Sequence, residues 1–267
     1  MDTPFHQLHH DGLLILTNVA DAAGARIVEQ LGCKAVATSS AAVAWAHGYP
    51  DGNALPLERL VSTVESIARV ISVPLTVDIE AGYSDDLTRV AQVIDAVIAA
   101  GAVGINIEDG ASPPELLVRK IEVARQVAER RGVKLFINAR TDVYLKSLVP
   151  AEDRVAETLK RAALYQAAGA DGLFAAGVTA EYEIAALCQG TPLPLNVLGL
   201  PGLPSPEELK ALGVRRLSAG SRIAEFLYGA MGALAKSFLE TGTLDSRDLK
   251  ALTYGEVNAL LAPSGKA

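Results

Sequence analysis

The chain has 267 residues, half of them hydrophobic, with 24 basic against 31 acidic residues and a formal net charge of −7. No basic cluster occurs along it, which argues against a nucleic-acid partner, and no apolar run approaches the ~18 residues of a membrane-spanning helix. The first residues, MDTPFHQLHHDG, lack the charged-then-apolar pattern of an export signal, so a cytoplasmic location is expected. Cys33 and Cys188 stand in apolar segments, without partners at metal-ligand spacing, and read as plain core thiols.

In chain order, short β-type runs alternate with helical stretches. LLILT (13–17) leads into ADAAGARIVEQLG, a helical pattern closed by glycine, and AVATS (35–39) runs into the loop TSSAAVAWAHGYPDGN. PLTVDI (74–79) precedes the helical LTRVAQVIDAVIAAG, and GINIE (104–108), LFINA (135–139), GLFAA (172–176), LNVLG (195–199) and RRLSAG (215–220) complete eight units. Strands this rich in Val, Ile and Leu are buried on both faces, as in a parallel sheet covered by helices, so the pattern predicts an α/β chain folded as a (β/α)8 TIM barrel. An open doubly wound sheet is the competitor, disfavoured because no GxGxxG turn follows the first strand. Residues 1–267 are expected to form one barrel domain, with 243–267 as a C-terminal helical extension. The stretch 222–242, RIAEFLYGAMGALAKSFLETG, is apolar nearly all round and should be covered on more than one side, as in an oligomer contact.

The chemistry concentrates at strand ends. Alternate residues of a strand share a face, so Asp78 and Glu80 in VPLTVDIEAGYSDD project together while Ile79 packs the other way. If the next strand brings Glu108 alongside, converging carboxylates make a site whose repulsion a divalent cation relieves. Asp85 and Asp86 precede a helical pattern and read as its cap and first turn. Ser39 and Ser40 end the second strand and Asp51 lies in a PDGN turn; they either hold a carboxylate or cap a helix and shape the turn. His47 reads as a surface or supporting residue and Trp45 as packing. Arg140, in FINARTD, reaches the barrel mouth, where a guanidinium suits a bidentate carboxylate or an ion pair with Glu108 or Asp142; the two roles are compatible. Asn196, polar within an apolar strand, offers another hydrogen bond to a ligand.

With TSSAAVAWAHGYPDGN, VDIEAGYSD, GINIEDG and NARTD in this order and spacing, the chain resembles the isocitrate lyase/phosphoenolpyruvate mutase superfamily over essentially all eight units. The resemblance implies that Asp78 binds magnesium directly, or manganese in its place, with Glu80 and Glu108 acting largely through metal-bound waters. It assigns Ser39, Ser40 and Ala41 to the carboxylate of a 2-oxo acid, with Asp51 nearby. Arg140 would bind the same substrate, and Asp51 and Arg140 would be the catalytic side chains. Members make or break C–C or P–C bonds beside an oxo acid through a pyruvate-like enolate. They often exchange the last barrel helix between subunits, which implies a homodimer or homotetramer.

The departures from the family pattern bear on the reaction. Ser40 replaces a glycine and Ser84 replaces another, and the segment GASPPELLVRKI lacks the cysteine, histidine and asparagine that the lyases and the mutase carry in their gating loop. Lys120 lies too far into the helical pattern to replace the loop lysine. The expected activity is therefore a magnesium-dependent lyase or decarboxylase cleaving a C–C bond in a small 2-oxo or 2-hydroxy carboxylate, oxaloacetate-like compounds first. The alternatives are a C–C or P–C hydrolase, for example on phosphonopyruvate, and a 2-oxo acid binding protein without turnover.

Overall fold

Every β-type run becomes a strand in the computed structural model, which describes residues 3–246 and 249–262. The strands are β1 (Leu14–Leu16), β2 (Asn18–Val19), β3 (Val36–Thr38), β4 (Leu75–Asp78), β5 (Gly104–Glu108), β6 (Phe136–Thr141), β7 (Gly172–Ala175), β8 (Leu195–Leu198) and β9 (Arg216–Ser218). All pairings are parallel, in the order β1-β9-β8-β7-β6-β5-β4-β3-β2. The expected first strand is divided at Thr17: β1 pairs with β9 through Leu14↔Arg216, and β2 pairs with β3 through Asn18↔Ala37. One strand thus closes the barrel with two halves, because closure of a tilted sheet staggers its two neighbours along it. Asn18 bridges the seam, donating from Nδ2 to the Thr38 carbonyl (2.8 Å) and accepting the Gly220 amide (2.9 Å). The architecture is the expected α/β TIM barrel.

The helices are α1 (Pro4–Gln7), α2 (Ala22–Gln30), α3 (Ser40–Ala46), α4 (Leu57–Val70), α5 (Leu87–Ala99), α6 (Pro114–Arg130), α7 (Arg154–Ala168), α8 (Glu181–Gly190), α9 (Pro206–Leu212), α10 (Arg222–Thr241) and α11 (Tyr254–Leu261). α5 shows why such segments fold as helices. The Asp86 carboxylate caps its start by accepting the Thr88 amide (2.9 Å), and Val90, Val93, Ile94, Val97 and Ile98 recur at helical spacing on the buried face. Gly101, at φ +112°, ends it in a conformation that side chains rarely adopt.

Strand alternation divides the sheet residues between two environments. Ile105, Ile107, Ile137, Ala139, Leu173 and Val197 belong to the apolar layers beneath the helices, whereas Asn106, Asn138, Asn196 and Arg216 are buried polar residues of the alternate register. Arg216 Nη2 and Asn138 Nδ2 both donate to Asn106 Oδ1, at 3.2 and 2.9 Å. At the strands' N-terminal end, the His9 ring stacks on Phe136 with centroids 3.9 Å apart and Phe5 meets both rings edge-on. Gly104 has to be glycine there, since a Cβ would lie 2.6 Å from Phe5 Cε1. Both cysteines are partly buried against apolar clusters, and burial raises each thiol's pKa.

α10 differs from the barrel helices in that none of its residues is buried, and Phe226, Leu227, Met231, Phe238 and Leu239 lie exposed. Past it, α11 returns to α2, where Arg26 Nε donates to the Leu260 carbonyl (3.0 Å). Residues 247–248 and 263–267 of the expected extension lie outside the described residues. Among the described residues no helix is long and apolar enough to cross a membrane.

Candidate active site

β4 delivers Asp78 to the C-terminal mouth of the barrel, where enzymes of this fold keep their chemistry. Regular alternation carries no further than Ile79, whose amide still reaches the Asn106 carbonyl (3.1 Å). Glu80 then adopts φ +51°, so a left-handed turn places its side chain, not the continuing strand register that the sequence suggested. Such a conformation in a non-glycine residue costs on the order of 1–3 kcal/mol and persists only where its surroundings hold it. Here Glu80 Oε2 accepts the amides of Gly52 (3.0 Å) and Asn53, while Asn53 Oδ1 accepts the Tyr83 amide (3.1 Å). The PDGN turn and the acid-bearing turn therefore lock each other. Asp51 is exposed on that turn, and after burial and the opposing Asn53 amide its charge helps to raise the Glu80 pKa.

The third acid follows from backbone pairing. The Glu108 amide donates to the Glu80 carbonyl (3.0 Å), and Glu108 is the register partner of Arg140 on β6. Arg140 bridges two acids, with Nη1 2.7 Å from Glu108 Oε2, Nε 2.7 Å from Asp142 Oδ1 and Nη2 3.2 Å from Asp142 Oδ2. Asp142 is fully buried, and its amide donates to Asp109 Oδ1 (3.0 Å). Asp109 Oδ2 in turn accepts Arg161 Nη1 (2.7 Å) and the Tyr165 hydroxyl (2.6 Å). This chain of contacts anchors the guanidinium to α7. Lys146 Nζ lies 3.3 Å from Asp142 Oδ2.

Burial dominates the electrostatics. It raises the Asp78 carboxyl against the opposing Arg140 charge, and it raises Glu80 as well. It pushes Glu108 up to about 8, with Arg140 opposing and the Asp78 and Asp142 charges adding to the shift. Burial lowers Arg140, but Glu108, Asp142 and Asp78 together hold it above the ordinary arginine value.

The remaining expected site residues are placed as follows. The Ser39 hydroxyl caps α3 by accepting the Ala42 amide (3.4 Å), whereas Ser40 donates to Asp78 Oδ2 from its hydroxyl (3.2 Å) and its amide (3.5 Å). Ala41 occupies the first turn of α3, where helix amides lack intrahelical acceptors. Asn196 is buried beside Arg216 in the sheet register; its Oδ1 accepts the Ser218 hydroxyl (2.8 Å), and its Nδ2 has no partner among the described residues. His47 is turned to Thr63 on α4, with Nε2 2.9 Å from Oγ1. Lys120 is buried away from the mouth, donating to the Ala81 carbonyl (2.8 Å) and to Asp85 (2.9 Å), so it braces the acid-bearing turn from behind. Asp109 and Lys146 were not among the expected site residues. Asp142, foreseen only as an ion-pair partner, was legible as the next inward position after Arg140 in NARTD.

Among the described residues no three His, Cys, Asp or Glu side chains stand together at spacing that would by itself enclose a metal. The donor chemistry nevertheless fits a hard divalent cation that retains most of its water. Asp78 and Glu108 end adjacent strands, Glu80 Oε1 is buried without a hydrogen-bond partner among the described residues, and burial disfavours charge on all three carboxyls. Asp78 would hold the ion directly, with Glu80 and Glu108 reaching it through water.

A family model described as phosphoenolpyruvate phosphomutase matches residues 5–239. An uncharacterized protein of Mycobacterium tuberculosis (strain H37Rv) is 34% identical over 260 residues, covering 96% of this chain and 95% of that protein. An oxaloacetate decarboxylase of Bradyrhizobium sp. (strain BTAi1) is 31% identical over 258 residues, covering 91% of this chain and 85% of its own length. Among solved structures, a candidate phosphonomutase of Burkholderia cenocepacia J2315 superposes with a TM-score of 0.82 at 40% identity, covering 87% of this chain and 97% of that one. A barrel with acids on β4 and β5 facing an arginine on β6, matched by that family model over nearly its whole length, belongs to the phosphoenolpyruvate mutase/isocitrate lyase superfamily of lyases and mutases.

Proposed function

We propose that the chain is a magnesium-dependent lyase or decarboxylase that cleaves a C–C bond in a small 2-oxo or 2-hydroxy carboxylate of the oxaloacetate type, with manganese as an alternative ion. The observation that carries this reading is the juxtaposition of Asp78, Glu80 and Glu108 with an Arg140 guanidinium held at the same mouth. A bound divalent ion would supply a Lewis acid that neutralises charge developing on the substrate oxygen. Ser40 holds the Asp78 carboxylate in place, and Arg140, fixed by Asp142, presents donors to the substrate carboxylate. Asp51, on the turn locked to Glu80, is assigned the proton exchange with bound substrate or water in this reading. Asn196 Nδ2 adds an unspent donor from the barrel interior.

The short connection after β5, Asp109 to Pro113, carries no cysteine or histidine and supports a decarboxylation within this reading. Loss of carbon dioxide from a 2-oxo diacid needs an electron sink more than it needs a loop acid. The oxaloacetate decarboxylase relative supports the same reading.

The test measures pyruvate release from oxaloacetate, substituted malates and phosphonopyruvate, with magnesium and then with EDTA. Magnesium-dependent release from oxaloacetate or a malate is expected. Release from phosphonopyruvate alone would favour the P–C hydrolase. No release from any of them, in protein that binds oxalate with magnesium, would replace the enzyme reading with a binding protein.

The exposed apolar face of α10 is read as the contact with a second copy of the chain, in a homodimer or homotetramer. Light scattering at micromolar concentration is expected to give a multiple of the chain mass; a monomer would sink the assignment.

A further inference from the structure

A lysine stands at the barrel mouth that none of the site's expected roles uses. The segment between β5 and α6, which begins at Pro114, carries Gly110, and Lys146 approaches it: its Nζ lies 3.3 Å from where a Cβ on Gly110 would sit. Gly110 has φ +55°, so the position favours glycine on backbone grounds as well, and any side chain there would meet the ammonium. Lys146 also shares Asp142 Oδ2 with Arg140, at 3.3 Å from Nζ and 3.2 Å from Nη2. Two cations thus stand on one buried carboxylate. The difference between them is exposure: the Lys146 side chain is 45% exposed against 18% for Arg140.

The lysine is carried on a rigid turn. Its amide donates to the Asp142 carbonyl (2.9 Å), Val143 and Tyr144 are buried, and Gly177 packs so closely that a Cβ there would lie 2.9 Å from the Leu145 amide nitrogen. Lys146 charge is felt at Glu108, which places the ammonium within electrostatic reach of the acid cluster.

Resting on the reading above, in which the carboxylate and 2-oxygen of the substrate occupy the metal and Arg140, we infer that Lys146 binds the second anionic group of the substrate and selects 2-oxo and 2-hydroxy dicarboxylates over monocarboxylates. The rest of such a molecule extends toward the open mouth, where acids outnumber cations. A dianion is repelled there without an added positive charge, and a flexible ammonium supplies it while accepting carboxylates of different reach.

The experiment titrates malate and 2-hydroxybutyrate, which differ in a carboxylate against a methyl at the far end, into the full-length protein with magnesium, by calorimetry. Wild type is expected to prefer malate, and Lys146→Met to lower that preference about threefold to fivefold, the scale of a partly screened charge pair. Lys146→Arg should restore most of it. A preference that persists in Lys146→Met, or a loss equal for both ligands, overturns the inference and leaves the proposed function standing. Oxalate, whose two carboxylates take the places of the substrate carboxylate and 2-oxygen and which carries nothing beyond them, is the separate arm: if wild type fails to bind it with magnesium, the proposed function itself falls.

Discussion

Asp78→Ala is expected to weaken magnesium-dependent oxalate binding by about a hundredfold or more, since loss of even an outer partner of a metal ligand typically costs ten- to a hundredfold. The acid set offers little redundancy. Glu80 spends one oxygen on two backbone amides and Glu108 is paired with Arg140, while Ser40 on Oδ2 and the Glu80 amide on Oδ1 (3.2 Å) fix the Asp78 carboxylate at the end of β4 without neutralising it, so its charge is the one left for an ion. The same burial that makes Asp78 useful makes its charge costly to the fold. Asp78→Asn should therefore melt no lower than wild type in EDTA, while losing the metal response.

Binding should also strengthen as pH rises through about 8, because Glu108 must give up a proton to interact with the ion. The sign for stability is opposite. A carboxyl whose folded pKa lies above its unfolded value stabilises the metal-free fold below the ordinary carboxylate range, and that contribution is lost as pH rises through about 8. Oxalate binding by Asp78→Ala at wild-type strength would show that the metal lies elsewhere.

Arg140→Ala is expected to damage both folding and binding. Removing one partner of a buried ion pair typically costs about 3–5 kcal/mol, because the remaining charge is left buried and uncompensated. Here two acids lose their partner at once, Glu108 at 2.7 Å and Asp142 at 2.7 Å. Part of that loss is relieved by protonation of Glu108 and by Lys146 drawing closer to Asp142. Arg140→Lys keeps the charge but not the fork that spans both acids, so it should recover stability more fully than substrate carboxylate affinity. Thermal melts and calorimetry on both variants check this. An Arg140→Ala protein that melts like wild type would mean that the pairs contribute nothing to the fold, and unchanged carboxylate affinity would remove Arg140 from the substrate site.

Asp78, Glu108 and Arg140 were legible in the sequence because a strand has period two and a parallel barrel sends its strand ends to one mouth. Glu80 was legible as a residue but not in its placement. Alternation stops at Ile79, and the left-handed turn that aims Glu80 at Gly52 and Asn53 depends on a loop nearly thirty positions away in sequence. Ser39 and Ser40 looked equivalent, and only the chain's entry into α3 turned one hydroxyl to the helix cap and the other to Asp78. Asp109 was not legible because its partners Arg161 and Tyr165 lie on α7, and Lys146 was not because only the folded turn after β6 brings it back onto Asp142 beside Arg140.

The sequence by itself determined the barrel and the acids and arginine at its mouth, since hydrophobic periodicity and strand alternation are local properties of the chain. The tertiary structure alone decided which oxygens are already spent and which cations share Asp142. It also decided how far burial raises each carboxyl, because hydrogen-bond partners and desolvation belong to groups that meet only after the chain has folded.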